Sequence, residues 1–128
     1  MPTKGSIDSG AIDVYMPESG VICGQAKLIG LGFKAAVPFG HVALLLPRSS
    51  TGAKFGIELN NTCGIIDADY RGEWMAMMKT KTGIPYSWNA GDRLLQFLVV
   101  PVASVMLELV ETLDTTGRGQ GGFGSSGI

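Results

Sequence analysis

The sequence predicts an all-β domain of the sandwich, barrel or jelly-roll kind, with one short helix. Three features carry that expectation. Short apolar runs recur between turn signals spaced roughly 8–12 residues apart, the pattern of strands in sandwiches and barrels. Glycine occupies 19 of 128 positions, about twice its usual share of ~7%. With 6 prolines it punctuates the chain but stays short of the ~25–30% that marks low-complexity disorder. The 45% of hydrophobic residues can fill one core, and the length leaves no room for a second domain.

The elements follow in order. Residues 20–23, 42–46, 57–59, 65–66, 74–80, 94–100 and 105–110 are apolar runs bounded by turn residues, and each is expected as a strand. The best helical window, 51–55, is short and closed by Gly56, a residue suited to a helix end. Pro47-Arg48-Ser49-Ser50, Ile84-Pro85 and Asn89-Ala90-Gly91-Asp92 are turn-rich links. The stretch 94–110 is broken by Gln96, Pro101, Ser104 and Glu108, so it reads as core and not as the ~20 apolar residues of a membrane span. From Gly117 the chain holds six glycines in its last twelve residues. That segment cannot build a core and reads as a floppy end or as a lid carrying Arg118 and Phe123.

Composition removes several functions. Ten basic against eleven acidic residues supply no excess charge for non-specific nucleic-acid binding. Cys23 and Cys63 lack CxxC spacing and are expected as free, packed thiols. The start, MPTKGSID, has no signal-peptide apolar run, which fits a cytosolic setting without membrane contact. His41 is the one histidine, so multi-histidine metal sites are out, and between Gly40 and Val42 it is expected to be structural.

Chemistry must then run on carboxylates, hydroxyls, backbone amides and arginines. Arg71 and Arg93 each stand near an Asp and are expected to pair with carboxylates. Arg48 and Arg118 have no such neighbour. Arg48 precedes Ser49-Ser50-Thr51-Gly52, a run whose hydroxyls and N–H groups could cradle an anion ahead of a helical turn. Asp67 and Asp69 flank Ala68 after an apolar run. Strand alternation would put them on one face, where one could activate a water, whereas a plain turn is the blander reading.

Five segments in order, Gly10-Ala11-Ile12-Asp13-Val14, PRSSTGAKFGI from Pro47, GIIDADYRGEW from Gly64, GDRLLQ from Gly91 and GRGQGGFGSSG from Gly117, resemble the motifs of the homotrimeric dUTPase family. That family hydrolyses dUTP to dUMP and pyrophosphate. The likeness spans about residues 10 to 127, and Gly10-Ala11 reverses the family's usual Ala-Gly.

The resemblance implies a jelly-roll-like domain over 1–116 and a flexible arm, 117–128, that closes over the site. By similarity Asp67 activates the water that attacks the α-phosphorus, and Asp13 holds a water of a Mg²⁺ ion. Arg48, Ser49, Ser50, Gly52 and Gln96 would contact phosphates. Asn61, Gly64 and Ile66 would form the uracil slot, with Tyr70 against the deoxyribose. Phe123 and Gly124 would cover the base while Arg118, Ser125 and Ser126 clamp the terminal phosphate. A homotrimer would share each site: motifs one, two and four from one copy, three from a second, five from a third. The alternatives are a dCTP deaminase or bifunctional deaminase/dUTPase, and a dUTPase with an added regulatory protein partner.

Overall fold

The computed structural model describes residues 1–127. Its elements are β1 (Thr3–Lys4), β2 (Ile12–Tyr15), β3 (Gly20–Ile22), β4 (Lys27–Gly30), β5 (His41–Pro47), α1 (Ser49–Phe55), β6 (Ile57–Leu59), β7 (Gly64–Ile66), β8 (Met75–Thr80), β9 (Tyr86–Trp88) and β10 (Arg93–Pro101). Antiparallel pairing builds a five-stranded sheet in the order β1-β2-β10-β5-β7, a three-stranded sheet β4-β8-β6 and the pair β3-β9. This is a jelly-roll-like β fold with one short helix, as the turn spacing predicts.

Alternation explains the layers. Ala43 and Leu45 of β5 and Ala76, Met78 and Thr80 of β8 are buried, with their neighbours less so, because successive strand residues face opposite sides. Val14, Met16, Leu31, Ile57, Leu59, Trp74 and Leu95 join them in one core. Trp74 anchors it, its ring 5.1 Å from Phe33 and 4.8 Å from Phe97 between centroids. Helix α1 ends where Gly56 takes φ 63° and donates its N–H to the last-turn carbonyls, a left-handed cap that glycine adopts without a Cβ clash.

One irregularity positions the site. Between β2 and β10, Arg93 lies opposite Tyr15 and Leu95 opposite Val14, so Leu94 is an extra residue, a β-bulge. Leu94 and Leu95 are consequently buried in succession. Residues three apart would normally face opposite sides of a strand, but the bulge restores Arg93 and Gln96 to the same face.

The structure differs from the sequence reading in several places. Cys23, expected as a packed thiol, is exposed, and α1 begins at Ser49, inside the stretch read as a turn-rich link. Residues 105–110, expected as a strand and as core, form neither. Residues 102–116 have no regular structure and are exposed, with Met106, Leu107 and Leu109 almost wholly so. A strand needs a partner edge, and no other part of the described chain pairs with this one. The short β1, β2, β4 and β9 carry too few apolar residues to stand out as runs, and it is pairing to longer neighbours that holds them. No helix among the described residues is long and apolar enough to cross a membrane.

Candidate active site

Strands β2, β5 and β10 bring one group of predicted residues together. Directly opposed residues of antiparallel strands share a face, and Gln96 opposes Asp13 while Arg93 opposes Tyr15. Asp13 is buried. Its Oδ1 accepts from Arg48 Nε at 2.9 Å and its Oδ2 from Arg93 Nη1 at 3.0 Å. Arg48 Nη1 also donates to the Arg93 carbonyl at 3.2 Å, and Gln96 Nε2 to the Pro47 carbonyl at 3.3 Å. Asp13, Arg48 and Gln96 line a cavity of about 320 Å³ with Gly5, Ser9 and Gly10.

Two sequence expectations about the arginines need correction. Arg48, read as having no carboxylate neighbour, is paired with Asp13. Arg71, expected to pair with a carboxylate, instead donates to the carbonyls of Ala68 and Tyr70 at 2.7 and 3.0 Å, bracing the loop that carries Asp67. Arg93 does pair with a carboxylate across strands as expected, that of Asp13, 80 positions away, while Oδ2 of the adjacent Asp92 accepts the Asn89 N–H and closes a turn.

Ser49 and Ser50 are exposed in the first turn of α1. Arg48 stands at the N-cap in an extended conformation, and no side chain caps the helix, so the first-turn N–H groups lack a side-chain acceptor. Ser, Thr, Asp or Asn would be the ordinary choice there. Gly52 closes the turn, its N–H donating to the Arg48 carbonyl at 3.0 Å.

A second group forms a separate cavity of about 240 Å³, whose lining includes Asn61, Gly64, Ile66, Asp67, Tyr70 and Trp74. It is smaller than the roughly 300–1,000 Å³ of sites for drug-sized ligands, which suits part of a nucleotide. Cys63 N–H donates to the Asn61 carbonyl at 2.7 Å around Thr62, whose φ is 68°. That is a γ-turn of the rare, strained kind, on a β-branched residue. Asn61 Nδ2 donates to the Cys63 carbonyl at 3.1 Å, which fixes the amide's orientation. Gly64 lies close to Leu45, where an added Cβ would come within 3.1 Å of the leucine Cβ.

Asp67 is exposed just past the end of β7. Strand alternation therefore does not reach Asp69: residues 67–70 form a turn, closed by Tyr70 N–H on the Asp67 carbonyl at 3.1 Å. Tyr70 folds across Gly72, where a Cβ would sit 2.4 Å from its hydroxyl, and that hydroxyl donates to the Glu73 carbonyl at 2.8 Å. The hydroxyl bond holds the ring in this position, and the absence of a Cβ at Gly72 leaves it room.

The described residues of the tail line neither cavity. Its backbone bonds run from Gly119 to Thr116, Gly121 to Arg118, Ser125 to Gly122 and Gly127 to Gly124, and Arg118 Nε donates to the Gly121 carbonyl at 2.8 Å. Phe123 is fully exposed.

Comparison with known proteins decides what this arrangement belongs to. The dUTPase family model matches residues 1–127. The chain belongs to the dUTPase family. It is 38% identical to a deoxyuridine 5'-triphosphate nucleotidohydrolase of Dictyoglomus turgidum across 100% of this chain and 90% of the other, and 44% identical to one of Shewanella sp. (strain MR-7) across 81% and 69%. Among solved structures it resembles the Staphylococcus bacteriophage 80alpha dUTPase with dUPNHPP, at TM-score 0.89 and 26% identity over 100% of this chain and 92% of that one. The fold of a point mutant of the dUTPase from phage phi11 of S. aureus is also similar (TM-score 0.78, 24% identity, 88% and 90% covered), and that protein coordinates a structural Mg(II) ion. As a dUTPase, this enzyme hydrolyses dUTP. Arg93 is the site residue that sequence reasoning left out: GDRLLQ placed it beside Asp92, and only the β10 bulge aims it at Asp13.

Proposed function

We propose that this dUTPase cleaves dUTP to dUMP and pyrophosphate with Asp67 as the general base on the attacking water, at a site assembled from several copies of the chain. The observation that carries the reading is the division of the site residues. Asp13, Arg48 and Gln96 share one cavity, Asn61, Gly64, Ile66, Asp67 and Tyr70 share another, and none of the described tail residues lines either. A homotrimer that apposes the two cavities between copies would complete the site. The exposed apolar residues of 102–116 supply surface that a lone subunit leaves in water.

In this reading the Arg48 guanidinium, the hydroxyls of Ser49 and Ser50, the backbone at Gly52 and the Gln96 amide bind the triphosphate, and Arg93 supports Arg48 through Asp13. Each Asp13 oxygen accepts one arginine N–H and retains a further lone pair, so one carboxylate fits an ion that keeps its own waters. Asp13 would hold Mg²⁺ through such a water. The ion supplies charge neutralisation of the phosphates when bound.

On the base side, Asn61 Nδ2 is committed to Cys63, which presents Oδ1 as an acceptor. Uracil offers a ring N–H there and cytosine a lone pair, and a mismatched pair would leave buried groups unsatisfied. Gly64 and Ile66 shape the slot, and the fixed Tyr70 ring leaves no space for a ribose 2′-hydroxyl. The arm from Gly117 closes with Phe123 and Gly124 over the base, while Arg118, Ser125 and Ser126 meet the terminal phosphate. Stacking on a base contributes roughly 1–3 kcal/mol, which helps offset the ordering of glycines at about 1–2 kcal/mol per residue.

Pyrophosphate release from dUTP, dCTP, dTTP and UTP with Mg²⁺, comparing the wild type with Asp67→Asn, tests the assignment. Turnover should be confined to dUTP, and the variant should lose about 10²–10⁴-fold in rate with dUMP binding retained. An unaffected variant would remove Asp67 from the chemistry, and ammonia release from dCTP would favour the deaminase alternative.

A further inference from the structure

A further cavity lies at the C-terminal end of α1, apart from Asp13 and Asp67. The last turn of α1 and the link from β8 to β9 enclose about 680 Å³, within the roughly 300–1,000 Å³ of small-molecule sites. Phe55, Ile84, Pro85 and Tyr86 give it apolar walls, Lys54 and Lys81 line it, and no carboxylate is among its lining residues. Gly52 is the one position it shares with the phosphate-binding loop. The Phe55 and Tyr86 ring centroids lie 4.9 Å apart with the planes tilted by 42°, while Phe55 and Ile84 remain 40% and 67% exposed. Apolar surface is thus held open to water on a fixed aromatic pair.

The folded chain leaves the charge here unmatched. Its ion pairs engage Arg48, Arg93 and Lys79, whereas Lys54 and Lys81 meet no carboxylate among the described residues. Lys54 Nζ stands 5.5 Å from the Phe55 ring centroid, and the Lys81 stem passes Gly56, where an added Cβ would lie 3.8 Å from the lysine Cβ. Two negative contributions oppose them. A helix C-terminus carries about half a negative charge, and here the Thr51 and Gly52 carbonyls already accept the Gly56 N–H. Asp92, whose charge adds to burial in raising the Tyr86 phenol, acts from outside the lining. Two full positive charges outweigh both, and the negative field falls on the tyrosine end.

We infer that this cavity is a second ligand site, for a small amphipathic anion: a flat apolar body against Phe55, Ile84, Pro85 and Tyr86, and a carboxylate, sulfonate or phosphate group meeting the ammoniums of Lys54 and Lys81. Removing the apolar body from water supplies the affinity. Exposed ion pairs are individually weak, so the lysines choose the sign of the ligand's charge. No side chain of this site takes part in hydrolysis.

The test titrates 2-naphthalenesulfonate into the Mg²⁺-loaded enzyme, with dUMP and pyrophosphate present to occupy the active site. Amide resonances of residues 52–56 and 81–86 should shift and saturate, while those of 64–70 stay in place. The body without the charge, 2-naphthalenemethanol, and the charge without the body, methanesulfonate, should each bind more weakly. Lys54→Gln and Lys81→Gln should each raise the sulfonate Kd about 1.5- to 5-fold, the span of one exposed ion pair, and leave both the Kd of the alcohol and dUTP turnover unchanged. Ile84→Ser should weaken sulfonate and alcohol alike. The absence of saturable shifts, an alcohol that binds as tightly as the sulfonate, or a double lysine variant with unchanged affinity would overturn the inference. Shifts confined to residues 48–50 would place the anion on the phosphate-binding loop and overturn it as well.

Discussion

Replacing Asp13 by Asn probes the ion-pair cluster that joins β2, β5 and β10. The Asp13 side chain is 11% exposed, while Arg48 and Arg93 are 29% and 44% exposed. An isosteric amide keeps one acceptor oxygen and turns an N–H₂ toward the other arginine. One charge-assisted bond, worth about 1.5–3 kcal/mol, is lost outright, and the other becomes a weaker neutral-acceptor bond. The arginines are exposed enough to recover water, so the ~3–5 kcal/mol of a fully buried, broken pair does not apply in full. The net cost should be about 2 kcal/mol. For a domain of this size, at roughly 4 °C per kcal/mol, Tm should fall by about 8 °C. Calorimetry at a fixed protein concentration, which an oligomer requires, reads the shift. Pyrophosphate release should fall in parallel, because Arg48 loses its fixed position. A Tm within about 1 °C of wild type would show the two pairs to be screened surface contacts of negligible worth, and the account of Asp13 as the organiser of this cavity would be wrong.

Other substitutions separate the remaining parts. Gly72→Ala sets a Cβ 2.4 Å from the Tyr70 hydroxyl and should push the ring off its Glu73 contact, raising KM for dUTP and admitting UTP; undiminished sugar selectivity would count against Tyr70 as the steric gate. Truncation after Thr116 removes a segment whose backbone bonds run within the tail or to Thr116, so melting should be unchanged and turnover strongly reduced, and full activity in the shortened chain would exclude the arm from the site. Burial, and secondly the charge of Asp92, raise the Tyr86 phenol above its usual pKa. The folded state then holds this proton beyond the unfolded chain's value of about 10, so its contribution is complete below that pH and is lost as pH rises toward the folded pKa. Urea titrations at pH 9 and 11 should show a smaller alkaline loss for Tyr86→Phe than for wild type, and parallel losses would refute the link.

Much of the site was legible because its chemistry is local in sequence. Pro47 and Arg48 lead from β5 into a helix closed by Gly56, and Asp67 directly follows an apolar strand, so turn chemistry and apolar patterning place them without long-range knowledge. That the buried indole N–H of Trp74 finds no hydrogen-bond partner was not legible, since a tryptophan in an apolar run reads as core. The strain at Thr62 was equally hidden: nothing about threonine favours a φ of 68°, and only the tight turn that carries the chain from β6 in one sheet to β7 in the other imposes that angle.

By itself the sequence determined an all-β domain with one short helix and a glycine-rich end, because alternation, turn residues and caps act over a few neighbouring positions. Only the tertiary structure decided which distant groups meet. The Leu94 bulge turns Arg93 and Gln96 toward one face, and strand pairing then brings both to Asp13, 80 positions from Arg93. The same dependence on pairing explains why residues 105–110, apolar enough for a strand, lie exposed. Strand formation needs an edge to bond, and which edge is free is a property of the assembled sheets, not of the run itself.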